Sequence, residues 1–146
     1  EVMLAATDLL AETKVAPELS NEAHYYRAKA YLDAGKVEGA MDDLKILAKD
    51  TRNIYGAEAK YKVAQIYFDA GQTEQAEKEV LDYIEVSTPH TYWLARSFVL
   101  LSDVYMKLGR NLDAKQYLLS LKQNYQADDD IAGMIESRLN KLNAEN

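Results

Sequence analysis

Residues 58–76 read EAKYKVAQIYFDAGQTEQA, and a closely similar pattern occurs twice more in this chain of 146 residues. The other two copies are EAHYYRAKAYLDAGKVEGA at residues 22–40 and RSFVLLSDVYMKLGRNLDA at residues 96–114. In every copy a tyrosine lies four residues before a glycine, and an alanine lies five residues after that glycine. Self-similarity at a period of this length is typical of arrays of stacked helical units.

Each copy predicts two helices joined by a tight turn. Ala64 and Tyr67 before the turn are three residues apart, and Ala76 and Val80 after it are four apart, as on one face of a helix. A glycine follows the first helix, where the left-handed backbone of a C-cap costs glycine least. These glycines are Gly35, Gly71 and Gly109. So short a turn forces the two helices to run antiparallel.

The pattern resembles the tetratricopeptide repeat (TPR), in which a large aromatic residue, a leucine, a small residue, a tyrosine, an alanine and a proline follow at fixed spacing. Three slots match in every copy: the small residue is Ala28, Ala64 or Ser102, the tyrosine is Tyr31, Tyr67 or Tyr105, and the alanine is Ala40, Ala76 or Ala114. The aromatic slot holds His24, Lys60 and Phe98, so the first two copies depart from the signature there. The proline is displaced to Pro89 or missing. The chain therefore looks like a divergent member, and the resemblance implies an all-α fold: an α-α superhelix, a TPR-like solenoid of antiparallel helix pairs.

The resemblance covers nearly the whole chain and implies a single repeat domain at residues 1–146. We expect the second helix of a truncated repeat at 1–17, where Ala5, Leu9 and Pro17 match its slots, then repeats at 18–53, 54–89 and 90–127, and a capping helix at 128–146. The three aspartates at 128–130 supply carboxylates for the N-cap and first turn of that last helix. Its apolar residues share one face, which we expect to cover the edge of the last repeat; they are Ile131, Ile135, Leu139 and Leu142. We also expect the chain to be a piece of a longer array.

Composition disfavours several functions. The chain has 24 acidic and 17 basic residues, a formal net charge of -7 and no run of three basic residues. Nucleic acid is therefore not an expected partner, because phosphate binding needs a concentrated basic surface. The longest apolar runs, such as Phe98–Leu101, are too short to span a bilayer, so we expect no membrane insertion by this chain.

The sequence contains few candidate catalytic residues. The chain has no cysteine, and motifs for phosphate loops or nucleophile elbows are missing. His24 lies in the aromatic slot and His90 follows Pro89, and neither has an acidic or histidine partner at a metal-binding spacing. We expect Asp42 and Asp43 on the outward, solvated side of a second helix. The sequence thus predicts a chain with no catalytic residue, no metal site and no cofactor.

A second stripe of side chains runs along the first helix of each copy, beside the stripe that forms the core. First helices line the concave surface of such a solenoid. The stripe mixes aromatic, aliphatic and charged side chains, which suits the binding of a peptide or helix from a partner protein. The predicted partner-binding residues are Tyr25, Lys29, Leu32, Tyr61, Gln65, Phe68, Arg96, Val99, Asp103 and Met106. Tyr25, Tyr61 and Phe68 are the leading anchors, with packing between repeats as the alternative role for such rings.

Two further expectations follow from the resemblance. Some TPR proteins hold the C-terminal carboxylate of a peptide with lysines and asparagines, but this chain has Tyr25 and Lys29 at those positions, so that ligand is disfavoured. The function expected is a non-catalytic protein–protein interaction module, and the alternative is a structural spacer or oligomerisation scaffold that self-associates. Similar divergent repeats occur in bacterial envelope proteins, which favours a periplasmic or envelope-associated location.

Overall fold

The computed structural model describes residues 17–86 and 88–144, which form seven α-helices and no β-strand. The helices are α1 (Pro17–Asp33), α2 (Val37–Leu47), α3 (Ile54–Asp69), α4 (Thr73–Glu85), α5 (Thr91–Lys107), α6 (Asn111–Asn124) and α7 (Ile131–Ala144). The predicted all-α helical repeat is confirmed. The truncated repeat expected at 1–17 lies outside the described residues except for Pro17, which begins α1. None of the described helices is long and apolar enough to cross a membrane.

The three tight turns within the helix pairs have the same backbone structure. The predicted left-handed glycines are confirmed, with φ of 75° at Gly35, 79° at Gly71 and 78° at Gly109. In each turn the N–H after the glycine donates to the carbonyl of the slot tyrosine: Lys36 to Tyr31 (2.8 Å), Gln72 to Tyr67 (2.9 Å) and Arg110 to Tyr105 (2.7 Å). This bond closes the C-terminus of the first helix and starts the second one at once.

The helices form two layers. Each helix contacts the next one along the chain, and odd-numbered helices also contact one another: α1 with α3, α3 with α5, and α5 with α7. Within the described chain no two even-numbered helices are in contact. Because the odd-numbered helices are the more closely spaced, they lie on the inside of the bend. We call the surface carried by α1, α3 and α5 the inner face.

The last helix completes the core of the third pair. The four residues expected on one face, Ile131, Ile135, Leu139 and Leu142, are all buried and belong to the larger of two hydrophobic clusters. That cluster also contains Leu100 and Leu101 of α5 and Leu118 of α6. The opposite side of α7 is exposed and mostly polar. This arrangement is that of a helix which covers the edge of a stack.

The aromatic slot makes an equivalent contact in every pair. Each slot residue meets the residue 19 positions later on the second helix: His24 Nδ1 lies 2.8 Å from Asp43 Oδ1, Lys60 Nζ lies 2.7 Å from Glu79 Oε1, and the rings of Phe98 and Tyr117 are 6.1 Å apart. A hydrogen-bonded His–Asp pair and a Lys–Glu ion pair therefore replace the aromatic contact in the first two units.

One sequence expectation about this region was wrong. Asp43 is 1% exposed rather than solvated, because its carboxylate accepts hydrogen bonds from Arg27 Nε (2.8 Å) and Nη2 (2.5 Å) as well as from His24. His24 therefore does have an acidic partner. The partner was overlooked because it lies on the neighbouring helix, at a spacing set by the helix pair and not by a metal or catalytic motif.

Candidate partner-binding face

The ten predicted partner-binding residues lie on α1, α3 and α5, but they differ in exposure. Lys29 is exposed. The half-buried residues are Tyr25, Leu32, Gln65, Phe68, Arg96, Asp103 and Met106. Tyr61 and Val99 are only 7% and 3% exposed, so most of their surface packs within the protein. A partner at the inner face can therefore contact mainly Lys29 and the half-buried residues.

Tyr25 is the centre of the junction between α1 and α3. Its hydroxyl donates to the Glu58 carboxylate, 3.2 Å from each oxygen, and Glu58 also pairs with Lys62 Nζ at 2.5 Å. Burial, followed by the negative charge of Glu58, raises the pKa of Tyr25 to about 12. The ring of Tyr55 is 4.7 Å from that of Tyr25, and the ammonium of Lys29 lies 5.5 Å from the Tyr25 ring centroid. The result is a half-open aromatic cluster with cations on its surface.

Arg96 is the centre of the junction between α3 and α5. Its guanidinium donates to the hydroxyl of Tyr61 (2.9 Å) and to that of Tyr92 (3.0 Å). It also lies 4.9 Å from the ring centroid of Tyr61 and 5.9 Å from those of Tyr92 and Trp93, within range of cation–π attraction. Tyr61 thus packs between units, which is the alternative role foreseen for these rings. Burial raises the pKa of the Tyr61 phenol, against the opposing effect of Arg96.

At the third unit, α7 reaches the inner face. Arg138 makes a two-pronged ion pair with Asp103, through Nε to Oδ1 (2.7 Å) and Nη2 to Oδ2 (2.9 Å). Val99 was predicted to contact a partner, but it belongs to the buried cluster that α7 completes, so it is a core residue. Met106 and Phe68 pack against the same cluster while remaining half-exposed. The third unit is therefore partly covered by the protein itself.

The sequence prediction missed four residues of this face. Tyr55 and Trp93 hold equivalent positions in the first turns of α3 and α5, and Tyr92 lies one turn before Arg96. Extending the stripe by one turn towards the N-terminus would have found all three. Arg138 carries no such signal, because its role depends on how α7 packs against α5.

A sizeable cavity lies away from the inner face. A cleft of about 770 Å³ opens between the end of α2, the following loop, α3 and α4. Lys60 lies at its side, with Glu79 at 2.7 Å and Asp82 at 2.6 Å. Burial alone would lower the pKa of Lys60, but the bonds to Asp82 and Glu79 outweigh it and raise that pKa. This shift favours the protonated form of the amine, paired with the two carboxylates. The described residues also contain no group of three or more His, Asp or Glu placed to hold a metal ion.

Comparison with protein-family models gives two matches, both described as tetratricopeptide repeat. One covers residues 22–50, which hold most of α1 and all of α2, and the other covers residues 95–124, from the first turns of α5 to the end of α6. Both matches therefore coincide with a helix pair. No curated protein and no solved structure gives a significant match.

Proposed function

Since the chain is a tetratricopeptide repeat protein, a class whose repeats are in general protein–protein interaction modules, we propose that it binds a peptide or helix of a partner on its inner face. The observation that carries this proposal is the surface of α1, α3 and α5. That surface presents half-buried aromatic and aliphatic side chains next to fixed charges. Aromatic and aliphatic side chains supply affinity at protein interfaces, and charges supply register and specificity.

The part of the inner face best suited to an anchor is the junction of α1 and α3. Tyr25 is held by Glu58 and packed against the tilted ring of Tyr55, so little side-chain entropy is lost when a partner contacts it. Tyr26, whose ring meets that of Tyr25 edge-on at 5.3 Å, is 45% exposed. Lys29 adds an exposed cation. Tyrosine is among the residues enriched at binding hot spots, and here it lies beside an exposed cation.

A non-catalytic role is part of the proposal. Its support is that Lys60, the buried charge of the large cleft, is already paired with Glu79 and Asp82. The competing function is a structural spacer or oligomerisation scaffold. Exposed leucines of the outer layer favour it, since Leu112 is 71% exposed and Leu119 is 45% exposed on α6.

The test compares substitutions on the two surfaces. Peptides that bind the wild-type chain are first selected from a displayed random library, and their affinities are measured by fluorescence anisotropy. The double variant Tyr25→Ala/Lys29→Ala should weaken binding at least about tenfold, since it removes a central ring and a charge. Leu112→Ala/Leu119→Ala is the matched control on the outer layer and should leave affinity unchanged. Tyr61 stays intact because it is buried.

Two results would contradict the proposal. The first is a selected peptide whose affinity falls with the α6 variant and not with the α1 variant. The second is the absence of any selected peptide together with a dimer in sedimentation equilibrium that Leu112→Ala/Leu119→Ala dissociates, which would establish the scaffold instead. Thermal melts of both variants check that the helices remain folded.

A further inference from the structure

We propose that Arg96 is a binding site for a carboxylate, supplied by a glutamate or aspartate side chain of the partner on the inner face. The inference rests on the proposed function, because it names the chemistry of one contact on that same face. It is also distinct from the terminal-carboxylate site of some TPR proteins, since Arg96 lies one turn before Val99, the residue equivalent to Tyr25.

Arg96 differs from every other arginine of the chain, which has five. Within residues 17–86 and 88–144 the other four each pair with a carboxylate: Arg27 with Asp43, Arg52 with Asp50, Arg110 with Asp113, and Arg138 with Asp103. Arg96 is bonded only to the phenol oxygens of Tyr61 and Tyr92. A half-buried cation without a counter-ion is costly, so a carboxylate arriving from outside would gain more here than at any of the other four.

The guanidinium has the donors to accept such a ligand. Arginine has five N–H donors in one plane, and two of them are used by the tyrosine hydroxyls. The aromatic rings of Tyr61, Tyr92 and Trp93 surround the group and fix its plane. A carboxylate can therefore be held by two parallel hydrogen bonds from a donor that is already oriented.

Carboxylates of the chain itself are engaged elsewhere. Asp130 reaches Arg96 only through the hydroxyl of Tyr92, which donates to it at 2.9 Å. Asp69 accepts from Gln65 at 2.8 Å, and Gln65 in turn accepts from Tyr61 at 2.9 Å. Asp103 is held by Arg138. Each nearby negative charge thus has its own partner, and the Arg96 site is left to an external ligand.

The repeat itself shows that the charge at this position is not fixed by the fold. Glu22, Glu58 and Arg96 are equivalent residues, each the first of its copy. Glu22 accepts from Tyr55 at 3.3 Å and Glu58 accepts from Tyr25 at 3.2 Å. In the third copy the tyrosine hydroxyls accept from the residue at this position, Arg96, instead of donating to it. This position therefore accommodates either sign of charge beside tyrosine hydroxyls, and the inversion at Arg96 leaves a cation there for recognition in addition to its packing role.

A side-chain carboxylate is favoured over a chain terminus. Arg96 is half-buried on the inner face, so a flexible glutamate side chain can reach its exposed part while the partner backbone stays outside the protein. The site also offers one cation rather than the set of lysines and asparagines that holds a terminal carboxylate.

The direct test is an NMR titration of the full wild-type chain. The probe is N-acetylglutamate N-methylamide, compared with its uncharged glutamine analogue and with N-acetylalanine, whose carboxylate is terminal. Trp93 is the chain's single tryptophan, so its indole signal reports on the site without assignment ambiguity. We expect the glutamate probe to shift the Trp93 indole and Arg96 Nε–H signals with saturation in the millimolar range, and the glutamine analogue to leave them unchanged.

A substitution gives the second arm. Arg96→Gln should abolish the response to the glutamate probe and weaken acidic selected peptides at least about tenfold, whereas Arg110→Gln should do neither. Equal shifts from the glutamate and glutamine probes, no shift at all, or stronger binding of N-acetylalanine would overturn the inference. If Arg96→Gln unfolds, the wild-type comparison of probes still decides.

The outcomes also separate this inference from the proposed function. Selected peptides that occupy the inner face without needing an acidic residue would overturn the Arg96 site and leave the function standing. A saturable response to the glutamate probe in a chain that selects no peptide would support the Arg96 site and overturn the function.

Discussion

Single residues in the aromatic slot show how a divergent repeat keeps its packing. The slot contact 19 residues apart is aromatic only in the third unit, where Phe98 meets Tyr117. In the first unit the same space holds the carboxylate of Asp43 between Arg27 and His24. Such a buried pair adds little net stability compared with apolar residues, but loss of one partner leaves the other charge buried.

Asp43→Ala should therefore destabilise the fold by about 3 kcal/mol, because it removes the buried carboxylate that accepts hydrogen bonds from Arg27 and His24. The measurement is urea unfolding followed by circular dichroism. The neighbouring carboxylate provides the control, since Asp42 is exposed and Asp42→Ala should change the free energy of unfolding by less than about 0.5 kcal/mol. Equal effects of the two substitutions would contradict the buried-pair account.

The sequence contained part of this information. The spacing of 19 residues between the slot residue and its partner is constant. Once the chain is recognised as a series of helix pairs, this spacing predicts the contact of His24 with Asp43. The second donor could not be matched in the same way. Arg27 occupies the leucine slot, where nothing in the pattern predicts a charge. Its burial depends on the carboxylate of Asp43, which the local periodicity predicted to face solvent.

The turns show the opposite case, in which local sequence determines structure. Gly71 has a φ of 79°, and a Cβ at that position would meet no atom within 4 Å. Any cost of substitution there comes from the left-handed backbone conformation and not from a clash with a neighbouring residue. The helix ends were predictable for this reason, since the conformational preference belongs to the glycine itself.

Gly71→Ala should lower the free energy of unfolding by about 1 kcal/mol or somewhat more, because alanine must adopt the left-handed conformation. Gly133 is the matched control: it lies within α7, and an added Cβ would also meet nothing within 4 Å. Gly133→Ala should stabilise by about 0.5–1 kcal/mol. Thermal unfolding of both variants measures the difference, and shifts of the same sign would contradict the assignment of the turn.

The capping helix was predictable in part. Its apolar face followed from the spacing of Ile131, Ile135, Leu139 and Leu142, and all four are buried. Its effect on the inner face did not follow, because the ion pair of Arg138 with Asp103 requires the angle at which α7 crosses α5. The buried face of a helix can be predicted from the sequence of that helix, but a contact between two helices cannot.

At the scale of the whole molecule, the order of the helices follows from the repeat, whereas the exposure of each inner side chain does not. Tyr25 and Tyr61 are equivalent residues, yet Tyr25 is half-buried and Tyr61 is nearly covered. The difference arises from the next unit, which presents Glu58 to the first ring and Arg96 with Trp93 to the second. Neighbour contacts therefore decide which members of a repeated stripe are available to a partner.

The most direct measurement is chemical-shift mapping of the isotope-labelled full chain with a selected peptide. If the inner face is the binding surface, the largest shifts will fall in residues 22–32, 58–69 and 96–106, and Leu112 and Leu119 will not move. Shifts confined to α2, α4 and α6, or spread evenly over both layers, would contradict the assignment of the inner face as the binding surface.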